Sequence, residues 1–268
     1  MTQKAAQQVE PRPTAGAADR SGIRKFCVDH VWAVTVAGIV TVAVELGVFA
    51  VAIAGGMSLM HAALAALASC VLWVALATPA LAASGRTAMG ALFRGGIVAD
   101  ASFVSLLVLW ACCDEVTGLG ALKIYTVLVA LAVAGVAVTR LARTSAGRYI
   151  WAMLASTVLL GVLASPFWIG GPIRGAQRET AENLVAAAVY ANPFYSATAC
   201  LTETSRFVWH RSSVMYRITR IGDYASAPPM RWYPAVLVYL VAAGAMACVA
   251  VLAKAIRRGM SDRGLRRS

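Results

Sequence analysis

The chain has 268 residues, of which 60% are hydrophobic and 13% charged, whereas an ordinary soluble domain has roughly 45–50% apolar and 25% charged residues. That balance excludes a soluble globular domain and makes the lipid bilayer the first expected partner. The net charge of +12 would suit nucleic acid or anionic lipid, but Lys and Arg sit mainly at the termini and between apolar runs, and no basic and aromatic stripe lies on a polar segment, so no nucleic-acid partner is expected.

Residues 1–25, with Pro11, Pro13 and a small-residue stretch at 14–18, read as a disordered or interfacial lead. Residues 26–258 read as one all-α, polytopic membrane domain of six transmembrane helices, followed by a basic tail at 259–268. The spans are predicted at Val31–Ala54, Met60–Ala82, Gly95–Cys113, Ala121–Thr139, Tyr149–Gly171 and Pro234–Ala253. Each is long enough for about 30 Å of hydrocarbon. The first run starts too late and is too long for a secretory signal, so it reads as an uncleaved helix.

Glu45 falls within the first span and Asp100 within the third. A carboxylate there costs at least about 2.5–3.5 kcal/mol on insertion scales. Two readings stay open: a polar position on a transport path, or a neutral or hydrogen-bonded group, with Asp100 lying near the interface beside Arg94. Between these spans, residues 83–96 predict a connection whose centre forms a short helix. Met89, Leu92 and Phe93 flanked by Arg86 and Arg94 suit either a partner-docking knob or a helix end against the leaflet.

Cys27, Cys70 and Cys248 lie in or beside apolar helices and read as small hydrophobes, while Cys112, Cys113 and Cys200 leave one cross-link open. Residues 172–233 then form a 62-residue segment between the fifth and sixth spans, too long for an unstructured connection. Its first part, 176–196, predicts an amphipathic helix ending near Asn192 at Pro193, too short to span and therefore interfacial or re-entrant. Its second part, 207–233, interleaves Trp209, Tyr216, Tyr224, Trp232 and Tyr233 with arginines, a composition suited to the headgroup level.

Orientation follows from the positive charge of the ends and short loops. With both termini in the cytoplasm, the cytoplasmic segments hold sixteen Lys and Arg and the two short outer connections hold only Lys123. A plasma (inner) membrane location is expected. P-loop, dinucleotide-binding, zinc-protease and serine-hydrolase signatures are absent. His30, His61 and His210 make no ligand cluster, so no metal, cofactor or catalytic activity of the chain's own is expected. The rival reading is an outward-facing enzyme for an anionic, lipid-like substrate, using His210, Asp223, Arg206, Arg211, Arg217 and Arg220. A non-catalytic assembly protein is a third.

The basic lead, the six spans with both ends inside, the helix-like loop after the second span and the large outer segment, with Tyr190-Ala191-Asn192-Pro193-Phe194-Tyr195 inside it, together resemble the ABC-2-type permease family. The resemblance implies the membrane subunit of an ATP-driven exporter acting as a dimer. A separate nucleotide-binding ATPase would dock on Arg86, Met89, Leu92, Phe93 and Arg94, and Asn192, Pro193, Phe194 and Tyr195 would form the outer re-entrant motif.

Overall fold

A computed structural model describes residues 15–114, 116–202 and 231–265, all of whose regular elements are α-helices. The helices are α1 (Ala15–Ala54), α2 (Leu59–Ser84), α3 (Ala88–Cys112), α4 (Gly118–Thr139), α5 (Ser145–Leu163), α6 (Ser165–Trp168), α7 (Gly170–Arg174), α8 (Arg178–Ala191), α9 (Pro193–Thr202) and α10 (Tyr233–Leu265). Residues 1–36 and 37–268 are separate compact units. The first is described only through the N-terminal part of α1.

Six helices among the described residues are long and apolar enough to cross a bilayer: Val31–Ala54 of α1, Leu59–Ser84, Ala88–Cys112, Gly118–Thr139, Ser145–Leu163 and Tyr233–Ile256 of α10. The protein is a multi-pass helical membrane protein. Several helix ends differ from the sequence reading. Residues 88–94 are the opening turns of α3, continuous with its span, and not a separate short helix. Gly118–Gly120 and Ser145–Arg148, expected as loop, are the first turns of α4 and α5. The turn signal was one residue earlier in each case: Thr87, Thr117 and Thr144 accept the backbone N–H of Gly90, Gly120 and Gly147 at 3.0 Å, as a helix N-cap requires. Between α1 and α2, Gly56 takes a positive φ of 80° that a side chain would strain.

The fifth run also ends early and does not continue to Gly171. It stops at Leu163, and Pro166 opens the short turn α6, because proline has no N–H to extend a helix. Pro79 meets the opposite fate inside α2. The carbonyl it leaves without a helical donor, Ala75 O, lies 3.4 Å from Ser156 Oγ of α5. A neighbouring helix thus supplies the missing donor, the usual way a membrane helix keeps a proline.

The alanine-rich α2 packs against α3, α4 and α5, and α10 packs against α4. Leu67, Val71, Val74, Leu106, Leu109, Ile124, Leu128 and Leu131 are its fully buried neighbours in one core, joined at one end by Leu201 of α9. Small residues bring the backbones close enough for dispersion and hydrogen bonds to hold helices together, since lipid provides no hydrophobic drive between them. Gly95 is the tightest point: a Cβ there would lie 2.6 Å from Val136 Cγ2 and 3.1 Å from Thr78 Cγ2.

Candidate functional site

The expected amphipathic helix is α8, which buries Ala181, Val185 and Val189 at four-residue spacing against Ile169 and Ile173 while Arg178 and Glu182 pair at 3.1 Å on its outer side. Asn192 is its C-cap. A second helix that the sequence reading did not separate, α9, starts at Pro193, and the pair α8–α9 bends by 71°, the geometry of a broken span or a re-entrant loop.

Asn192 is fully buried and holds this bend against the end of α5. Its Nδ2 donates to Val162 O and Leu163 O, 3.1 Å each, with Ser165 Oγ at 3.4 Å. Both carbonyls lack their normal helical donor. Residue 166 is the proline, and the Phe167 N–H donates to Ala164 O instead. Asn192 Oδ1 accepts the Phe194 N–H at 3.0 Å, and Tyr239 Oη of α10 donates to Ala191 O at 2.9 Å. The elbow is thus pinned to the fifth span on one side and the last on the other. Tyr195 is buried against α7 and α8, and Phe194 packs at the edge of the main core.

Glu45 is fully buried. Ser102 Oγ lies 2.5 Å from its Oε1 and 2.9 Å from Val98 O, so one hydroxyl proton serves two acceptors. Ser105 and Cys70 also flank the carboxyl, yet Glu45 Oε2 and Ser105 Oγ have no hydrogen-bond partner. One turn earlier, Thr41 Oγ1 accepts Trp73 Nε1 at 2.9 Å. Thr41 and Glu45 therefore join α1 to α2 and α3 by polar contacts within an apolar core. The spacing of Thr41 and Glu45, and of Ser102 and Ser105, put each pair on one helix face; their meeting was not readable from the sequence.

Asp100 is at the middle of α3, because α3 begins at Ala88, twelve residues or about 18 Å earlier. It is exposed and accepts Tyr125 Oη at 2.7 Å. The structure does not bring Glu45 and Asp100 together: one is buried among serines, the other opens to the outside of the bundle. A carboxyl so placed is costly in lipid.

Comparison with protein-family models, with curated proteins and with solved structures returns no match.

Met89, Leu92 and Phe93 are exposed by 77%, 44% and 57% and share one side of the first turns of α3 next to exposed Arg86. Arg94 is set apart from them, because its Nη1 donates to Ser84 Oγ at 2.8 Å. Cys112 is an exposed thiol and Cys113 and Cys200 are buried thiols. His210, Asp223, Arg206, Arg211, Arg217 and Arg220, on which the enzyme reading rests, lie outside the described residues, as do Trp209, Tyr216 and Tyr224.

Proposed function

We propose that this chain is the membrane-spanning permease subunit of an ATP-driven transporter, dimeric, in the plasma membrane, with ATP hydrolysis supplied by a separate nucleotide-binding chain. The observation that supports the reading is the α8–α9 elbow. It is a bent helix pair just before the last span, pinned by Asn192 to α5 and by Tyr239 to α10. A short helix pair tied to two spans moves with them, so a rearrangement of α5 against α10 would be transmitted to the outer face. Met89, Leu92 and Phe93 beside Arg86 provide an apolar knob with a positive edge at the opposite end, of the kind a partner groove accepts. Arg94 belongs to the internal packing in this reading.

The test is affinity purification of the tagged chain from its native membrane in mild detergent, with ATPase assay and mass spectrometry of the complex. A P-loop ATPase should copurify, and Met89→Asp together with Phe93→Asp should remove it without lowering the chain's own melting temperature. A stable complex lacking an ATPase would overturn the permease reading, and an ATPase complex that both substitutions leave intact would overturn the docking role of Met89 and Phe93.

A further inference from the structure

The end of the bundle carrying the short basic connections holds an unbalanced cluster of arginines. Arg140, the C-cap of α4, donates from Nη2 to Ala82 O and to Gly85 O, 3.0 Å each. Arg148 of α5 donates from Nη1 to Gly85 O at 2.6 Å, and Arg94 of α3 reaches Ser84 Oγ. The three side chains close the C-terminal end of α2, whose carbonyls carry a partial negative charge of about one half. That is too little to offset three guanidinium groups. Among the described residues no carboxylate pairs with any of them, and the Nε of all three is buried without a partner. Burial, followed by the positive charge of Arg148, pulls the Arg140 guanidinium below its usual value.

Arg140 is also part of a cleft of about 710 Å³ at the same end, and this cleft contains no acidic residue. Arg143 and Lys254 add two more cations to its rim, while Trp151, Val249 and Val251 line it with apolar surface. Both of these rim side chains are exposed. A small hydrophilic anion would satisfy the cations but leave the apolar wall wet, whereas a purely apolar ligand would leave the cations without a counter-charge. A phosphate headgroup joined to an acyl chain satisfies both, and basic pockets between membrane helices are where such headgroups bind.

We propose that the cleft between the α4–α5 connection and α10 is a specific site for an anionic phospholipid. Its phosphate is held by Arg140, Arg143 and Lys254, and its upper acyl chain lies along Trp151, Val249 and Val251. The bound phosphate supplies the negative charge that the arginine cluster around Gly85 lacks. The lipid therefore ties α10 to the ends of α2, α4 and α5, independently of whether the protein transports anything.

The test uses the full chain purified in detergent and delipidated. Its melting temperature and its retained lipid, by native mass spectrometry, are followed against phosphatidylglycerol, phosphatidylcholine and inorganic phosphate. Phosphatidylglycerol should be retained and raise the melting temperature, and neither of the others should do so at equal phosphate concentration. Arg143→Gln with Lys254→Gln should weaken phosphatidylglycerol binding at least about tenfold, since each basic group near a membrane surface contributes measurably to such attraction. Arg263→Gln with Arg266→Gln, in the basic tail, should leave it unchanged. Phosphatidylglycerol with brominated chains should quench less fluorescence in Trp151→Phe than in the wild type. Equal retention of both lipids, unaltered preference in the Arg143/Lys254 variant, loss of preference in the tail variant, quenching independent of Trp151, or equal protection by inorganic phosphate would each overturn the proposal.

Discussion

Replacing Asn192 by Ala would strip the α8–α9 elbow of its attachment while leaving the apolar face of α8 intact. Three backbone groups lose their hydrogen bond to Asn192: Val162 O, which keeps only the Ala164 N–H, and Leu163 O at the end of α5, and the Phe194 N–H at the start of α9. Side-chain hydrogen bonds in membrane proteins average about 0.6 kcal/mol and reach about 1.7, which gives roughly 2 kcal/mol for three. A buried group left without any partner costs about 1–3 kcal/mol. Asn192 is fully buried, so the expected loss is about 2–4 kcal/mol. Asn192→Asp separates the hydrogen-bond account from simple packing. It keeps the shape and the acceptor for Phe194 but faces two carbonyl oxygens with an oxygen, and so should be less stable than Asn192→Ala. The assay is modification of Cys200, a buried thiol in α9, by a fluorogenic maleimide during thermal unfolding in detergent, in a chain whose other cysteines are replaced by Ala. Both variants should expose Cys200 at lower temperature than the wild type, and Asn192→Asp lowest. A wild-type Cys200 profile in Asn192→Ala, or Asn192→Asp at least as stable as Asn192→Ala, would refute the assignment of Asn192 as the pin.

Gly95→Ala should destabilise the bundle by about 1–3 kcal/mol through overpacking, since the new Cβ falls 2.6 Å from Val136 Cγ2; Val136→Ala in the same chain should restore most of the loss in a thermal melt. Ser156→Ala should cost about 0.6 kcal/mol in wild-type protein, and nothing in a Pro79→Ala background, where Ala75 O regains its own helical donor; equal losses in both backgrounds would sink the link between Ser156 and Pro79. A membrane-impermeant maleimide should label Cys112 in intact cells and fail on Cys112→Ala, because this exposed thiol lies at the end of α3 opposite the basic connections. Labelling that requires permeabilised cells would reverse the orientation drawn from loop charge.

The unbalanced arginine cluster bears on all of these experiments. Delipidation that removes an anionic lipid from the cleft at Arg140 and Lys254 would lower every baseline melting temperature. The comparisons above therefore belong at fixed lipid content.

The six long apolar helices and their approximate limits were legible in the sequence, because crossing hydrocarbon needs about 20 apolar residues in one run, a local requirement that any stretch meets or fails by itself. The elbow at Asn192-Pro193 was likewise local, since proline cannot extend the helix before it. Tertiary structure decided what happens at the other prolines. Pro79 stays within α2 because Ser156 approaches the carbonyl it strands and Gly135 leaves room for its ring, at 3.1 Å from a would-be Cβ. Pro166 lacks that accommodation and opens a new turn, its stranded carbonyl being taken by Asn192. Tertiary structure also decided which side of each span is inward. Runs that are apolar on every face carry no periodicity to show it, so Glu45 could not be matched with Ser102, 57 residues away, nor Asp100 with Tyr125, nor Arg140 with the end of α2. Such polar contacts within the membrane depend on which helices become neighbours, and that is fixed by the close fit of small residues such as Gly95 and not by any local pattern.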